Sequence, residues 1–268
     1  MSDVLLGQSY YLRFDPKLWR AMQPYPPLGT LYAAGYIRER GYDAALFDAM
    51  LASSEDEWTA ALERERPAVA VIYEDNFNYL SKMCLLRMRE AALRMVAAGR
   101  RRGCTVVVAG SDATDNAQVY LRGGAGFAIV GEGEATLAEL LDHLAGRSLG
   151  PLESIAGLAF AAADGTVVRT GHRPEMKDLD ALPRPAWDLV DVDRYRDVWL
   201  RRHGYYSMAV ATSRGCPYHC NWCAKPIWGQ RYNVRSPESV VAELEWLGAT
   251  YRPDHICFVD DILGLKPG

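Results

Sequence analysis

Cys216, Cys220 and Cys223 follow a C-x3-C-x2-C spacing directly after an apolar stretch, Ser207 to Thr212, that reads as a strand. Three thiolates so spaced can converge on an iron-sulfur cubane and ligate three of its four irons. The iron left open can bind a chelating substrate and pass it an electron, which a site with four protein thiolates would do poorly. Gly215 permits a tight exit from the strand and Pro217 limits the loop's freedom. Trp222, just before the third cysteine, can stack on a planar ring such as adenine. The same cysteines also suit a structural zinc ion with His219 or Cys257 as fourth ligand, although such sites more often pair two C-x2-C elements and no second pair exists.

The six cysteines do not resemble the evenly spread framework of a small secreted disulfide protein. Cys84 falls in a helical pattern and Cys104 and Cys257 in apolar strands, where free cysteine behaves as a small buried hydrophobe.

The elements that must position this loop follow from hydrophobic periodicity. Strand patterns at Val4 to Leu6, Ala44 to Phe47, Ala68 to Tyr73, Thr105 to Ala109 and Phe127 to Val130 alternate with helical patterns at about Leu28 to Arg40, Glu55 to Glu65, Lys82 to Arg102, Ala113 to Leu121 and Ala135 to Ala145. The spacing predicts an α/β domain over residues 1–148, with five parallel strands in a doubly wound, flavodoxin-like or Rossmann-like sheet. Residues 149–205 read as a hairpin turning at Asp164-Gly165, then a proline-punctuated surface connector from Leu182. Residues 206–268 read as one further strand-helix-strand unit, whose helix starts at the Ser236-Pro237 cap. A two-stranded sheet cannot bury both faces, so the sequence is expected to be a fragment cut inside its second domain and inactive alone.

Ligands of an open parallel sheet bind beyond the C-terminal strand ends. The loops there contain Gly7, Gln8 and Ser9; Glu74 and Asn76; Gly110, Ser111 and Asp112; and Gly131, Glu132 and Gly133, with Pro27 and Gly29 at the first helix. They can admit a large planar cofactor, or each glycine can be a tight turn only. No G-x-G-x-x-G follows the first strand, which argues against a dinucleotide.

Thr212-Ser-Arg-Gly-Cys-Pro-Tyr-His-Cys-Asn-Trp-Cys resembles the signature of the radical S-adenosylmethionine (SAM) superfamily. The resemblance implies that Cys216, Cys220 and Cys223 hold a [4Fe-4S] cluster whose open iron chelates SAM, that Trp222 contacts adenine, and that an external donor such as flavodoxin or ferredoxin reduces the cluster. Asp260 and Asp261 fall where the family barrel places a SAM-binding stretch, with a helix-capping pair as the alternative. Pro26-Pro27-Leu28-Gly29, Val106 to Ser111 and Ile129 to Leu141 resemble the cobalamin-binding domain found ahead of such barrels. That group includes methyltransferases acting on unactivated carbon or phosphinate and the anaerobic magnesium-protoporphyrin monomethyl ester cyclase. The expected fold is thus a cobalamin-binding-type sheet followed by the first β-α-β portion of a radical SAM partial TIM barrel. The expected reaction is methyl transfer, rearrangement or cyclisation on a small-molecule substrate. The loop after the first strand lacks the D-x-H-x-x-G of methionine-synthase-like domains, so it offers cobalt no imidazole. A tRNA methylthiotransferase would need a second cysteine trio, and only Cys84 and Cys104 precede the loop. The contrasting reading is a non-catalytic corrinoid-binding or metal-binding module.

A net charge of -4 over 268 residues, without a long basic run, offers no broad surface for nucleic acid. No apolar stretch approaches the roughly 20 residues that span a bilayer and no signal core opens the chain, so a cytoplasmic location is expected.

Overall fold

The computed structural model describes residues 2–78, 86–221 and 227–265. Five parallel strands, β1 (Val4–Gly7), β2 (Ala44–Phe47), β3 (Val69–Tyr73), β4 (Thr105–Ala109) and β5 (Phe127–Ile129), stand in the order β2-β1-β3-β4-β5. Their residues alternate between two cores, as strand periodicity requires. Leu5, Ala70, Ile72, Val106 and Val108 pack with helices α3 (Asp56–Glu65) and α4 (Leu86–Arg101) on one face. Val4, Leu6, Val71 and Val107 pack with α2 (Leu28–Arg38) and α7 (Glu134–Leu144) on the other. The sheet is therefore doubly wound, and its order reverses between β1 and β3, where such folds open a crevice.

The expected sheet of five strands is extended to seven. The hairpin β6 (Leu158–Ala161) and β7 (Val167–Arg169) adds antiparallel beside β5. Its turn at Asp164-Gly165 was legible, with Gly165 at φ 84° and Asp164 accepting from Thr166. Its docking was not, because the pairing uses the backbone of β5, and Gly157 additionally brings its carbonyl to the N–H of Val130 at 2.8 Å. The helix expected from Ala113 to Leu121 is two short ones, α5 (Ser111–Asp115) and α6 (Ala117–Arg122). They break at Asn116, whose side chain donates to Asp112.

Two helices escaped the periodicity analysis. Asp15 caps α1 (Pro16–Ala21) by accepting from Lys17 and Leu18. Asp191 caps α8 (Val192–His203), which Gly204 ends in the left-handed conformation. The connector after Leu182 runs over the surface with Arg184 and Asp188 exposed, but it buries Pro185 to Trp187 and leads into α8. Trp187, Tyr195 and Trp199 are almost fully buried in a third core with Tyr10, Leu28, Phe77, Met208, Val210 and Leu247. Full burial of one such side chain contributes roughly 1.5–3 kcal/mol. The Tyr195 hydroxyl also donates to Asp48 beyond β2 at 2.5 Å. This third core joins the strand ends of the sheet to β8 (Ser207–Val210), α9 (Pro237–Tyr251) and β11 (His255–Phe258), with β11 parallel to β8. No helix among the described residues is long and apolar enough to cross a membrane.

Candidate cluster and cofactor site

The chain leaves β8 and enters the cysteine loop through a clasp of two short antiparallel strands, β9 (Ser213–Arg214) and β10 (Asn233–Val234). Gly215 has φ 86°, and a Cβ there would lie 2.2 Å from the Arg231 carbonyl oxygen, so glycine is required for the turn into Cys216. Cys216 is half-buried and Cys220 exposed, neither in a disulfide, and His219 is exposed. Cys223, Trp222 and Cys84 lie outside the described residues. Among the described residues no three His, Cys, Asp or Glu side chains are grouped to hold a metal. Cys257, the other sulfur considered as a ligand, lines a cavity described below, and Cys104 donates to the Pro67 carbonyl with its thiol pushed up by burial.

Both limbs of the loop are anchored by side chains. Asp260 accepts from Thr212 N at 2.7 Å, Ser213 N at 2.5 Å, Ser213 Oγ at 2.8 Å and Thr212 Oγ1 at 3.0 Å. Its carboxylate is committed to the start of the loop, and no helix follows it among the described residues for it to cap; Asp261 beside it is exposed. On the return limb Arg235 donates to the Ala211 carbonyl at 3.0 Å and pairs with buried Glu243, while Asn233 donates to the Met176 carbonyl.

Arg214 makes the most extensive connection. It is 3% exposed, donates to Glu132 Oε1 at 2.5 Å and Glu134 Oε1 at 2.7 Å, and lies within about 5.6 Å of the ring centres of Tyr32, Phe77 and Trp228. Burial opposes its charge, and the two carboxylates overcome that and raise its pKa. Glu132 also accepts from Met176 N at 2.6 Å. Burial pushes the Glu132 carboxyl up while Arg214 pulls it down.

The other loop residues form two further groups. Ser9 donates through N and Oγ to buried Glu74, and a Cβ on Gly110, at φ 130°, would lie 2.6 Å from the Glu74 Cβ. Burial pushes the Glu74 carboxyl up to about 7; the Ser9 bonds oppose this, and Asp112 and Asp75 reinforce it. Gly29 donates to Asp75 Oδ1 at 2.9 Å, beside Asn76, whose buried Oδ1 has no hydrogen-bond partner among the described residues. Pro27 occupies the N-cap of α2. Gly7 is required by packing, since a Cβ would meet Trp58 at 2.9 Å, and Gln8 accepts from Tyr10 N. Asp112 is held by Arg89, Asn116 and Tyr120, with Ser111 beside it at the first turn of α5. Gly131, at φ 82°, donates to Thr114, and Gly133 passes close over the Tyr73 ring.

A cavity of about 260 Å³ opens between these strand ends and the β8/β11 pair, walled by Tyr10, Tyr25, Leu28, Phe77 and Cys257, with Gln23, Asp75 and Asn78 among its polar groups. Among the described residues, none of those expected lines it; sequence neighbours of Ser9, Pro27, Gly29, Glu74 and Asn76 do, whereas the loops after β4 and β5 contribute no lining residue. Asp75 and Glu134 stand in the strand-end loops expected to meet a cofactor, whereas Arg214 and Arg235 were missed as site residues. Arg214 was within the quoted signature, but nothing local to it indicates that its partners lie about 80 residues earlier.

Residues 20–141 match the B12 binding domain family. These residues form a B12 binding domain. The B12 binding domain thus contains α2, the loop after β3 and both Arg214 carboxylates, so the clamp joins it to the cysteine loop. The chain is 28% identical over 245 residues to an uncharacterized methyltransferase of Pyrococcus horikoshii, covering 90% of this chain and 50% of the relative. It is 28% identical over 229 residues to the anaerobic magnesium-protoporphyrin IX monomethyl ester cyclase of Rubrivivax gelatinosus, covering 83% of this chain and 39% of the relative. The fold superposes on the radical SAM methyltransferase TsrM from Kitasatospora setae with a TM-score of 0.72 at 21% identity, covering 98% of this chain and 48% of that one. The chain spans half or less of the length of these relatives. The relatives that the chain resembles beyond its B12 binding domain thus include a methyltransferase and a cyclase.

Proposed function

We propose that the chain is part of a cobalamin-dependent radical SAM enzyme that methylates, rearranges or cyclises a small molecule at an unactivated centre. In this reading residues 1–148 are the corrinoid-binding unit, 149–205 connect, and 206–268 begin the radical SAM domain. Cys216, Cys220 and Cys223 hold the [4Fe-4S] cluster, Trp222 stacks on adenine of SAM, and an external flavodoxin or ferredoxin supplies electrons. Asp260 serves by fixing Thr212 and Ser213 rather than by touching SAM. When bound, the cluster provides the electron for reductive SAM cleavage and the corrinoid a methyl carrier.

The observation that carries the reading is the anchored loop: Cys216 and Cys220 are free thiols on a turn held by Asp260, Arg214 and the β9/β10 clasp. A disulfide or a buried structural thiol has no need of such a frame. The donor set beside the cavity suits a corrinoid rim, since Asp75, Asn76 and Asn78 stand at the edge of an aromatic wall. Among the described residues no histidine lines the cavity, so in this reading cobalt takes no imidazole from them.

The test is anaerobic reconstitution of the full chain with iron and sulfide, with and without hydroxocobalamin. Iron and sulfide in cubane stoichiometry, a reduced-state EPR signal altered by SAM, and a retained corrinoid spectrum are expected, with the cluster lost when serine replaces the three cysteines. Stoichiometric zinc in place of iron, or a cluster indifferent to those replacements, would overturn the reading.

A further inference from the structure

Glu132 stood among the loop residues expected to face a cofactor, yet its carboxylate turns to Arg214. The path from this loop to the first cysteine has little slack. Glu132 and Glu134 grip the guanidinium, three aromatic rings enclose it, and Arg214 belongs to β9. That strand is pinned by its pairing with β10 and, at Ser213, by Asp260. Gly215 follows against the Arg231 carbonyl, and Cys216 comes next. At the other end, the Phe77 ring, 5.6 Å from the guanidinium, also walls the cavity beside the strand ends. A shift of the Gly131-Glu134 segment must either carry β9 with it or separate buried charges, and the second course is strongly disfavoured. Two of the enclosing rings come from the same side of the joint, Tyr32 from α2 and Phe77 from the loop after β3.

We propose that Arg214 is a positioning residue that couples the corrinoid face of the B12 binding domain to the iron-ligand loop, so that filling one site strengthens binding at the other. The coupling rests on the functional reading above and goes beyond it, because two cofactors can share a protein without influencing each other. It is reciprocal by thermodynamic linkage: whatever factor the cluster adds to corrinoid affinity, the corrinoid adds to cluster retention.

The deciding measurement is the Kd of hydroxocobalamin for the full chain before and after anaerobic loading with iron and sulfide. In the wild-type protein loading should tighten binding about tenfold, within the usual range of such couplings. In Arg214→Met the two constants should agree to within about twofold, with Arg214→Lys between, because an ammonium keeps the charge but not the two-carboxylate fork. If Arg214→Met fails to fold by circular dichroism, Glu132→Gln takes its place, with the same loss of coupling expected. A tenfold effect that survives in the folded variant, or a wild type that binds both groups independently, overturns the coupling and leaves the functional reading intact. A wild type that takes up no iron or no corrinoid defeats the functional reading, and the coupling with it.

Discussion

Two carboxylate sites lie at the strand ends of the same sheet and are handled in opposite ways. At the end of β5, Glu132 and Glu134 share one buried arginine within hydrogen-bond distance, and although burial raises the Glu132 carboxyl, Arg214 pulls against that rise. At the end of β3, Glu74 is just as buried, but its hydrogen-bond partners are the amide and hydroxyl of Ser9, and its near charges, Asp112 and Asp75, are of the same sign. Burial then favours the neutral acid. Charge location at this sheet edge is thus decided by where an arginine arrives from outside the sheet, and Arg214 arrives from the cysteine loop.

The largest effect should come from removing that arginine. Arg214→Met leaves two carboxylates buried beside each other and should cost about 3–5 kcal/mol. Denaturant unfolding at pH 7 measures it, and a loss below about 1 kcal/mol would mean that the acids simply neutralise as Glu74 does. Replacing both glutamates by glutamine in the Met background should recover part of the loss, since unpaired charge is the main penalty.

Glu74 gives a slightly smaller effect with a pH signature. Its folded pKa, about 7, lies above its ordinary value of 4.5. The native state therefore holds a proton that the unfolded chain releases, and stability falls as pH rises between those values. The contribution is intact below about pH 4.5 and fully lost above about pH 7, a swing of about 3 kcal/mol. Glu74→Gln removes this dependence, so relative to wild type the variant should gain stability on going from pH 5 to pH 8. A difference between the two proteins that stays constant over that interval would show that Glu74 is ionised throughout, and the contrast with Glu132 would vanish.

The contrast also marks how far the sequence could be read. The five parallel strands, their helices and the cysteine loop were legible because each rests on local signals, such as buried runs in β3 and β4, the Ser236-Pro237 cap and the cysteine spacing. The sheet-edge role of β6 and β7 was not, since a hairpin's turn chemistry is the same whether the hairpin stands free or docks. Burial of the connector was hidden by its prolines, although Tyr195 and Trp199 have the four-residue spacing of one helix face. The roles of Asp260 and Arg214 depend on partners about 50 and 80 residues away, beyond the reach of any local pattern.

An exposed ion pair supplies the control for the buried joint. Arg38, in α2, donates from one guanidinium nitrogen to both carboxylate oxygens of Asp188 at 2.8 Å, distances close to those of Arg214. It also bridges the B12 binding domain to a later segment, but its side chains are 41% and 61% exposed. Water solvates both charges when the pair is broken, and salt screens them when it is made. Asp188→Ala should therefore change stability by no more than about 0.5 kcal/mol, shrinking further in high salt. If it instead approached the loss from Arg214→Met, geometry rather than burial would set the strength of these bridges, and the distinction drawn between the two ends of the sheet would lose its physical basis.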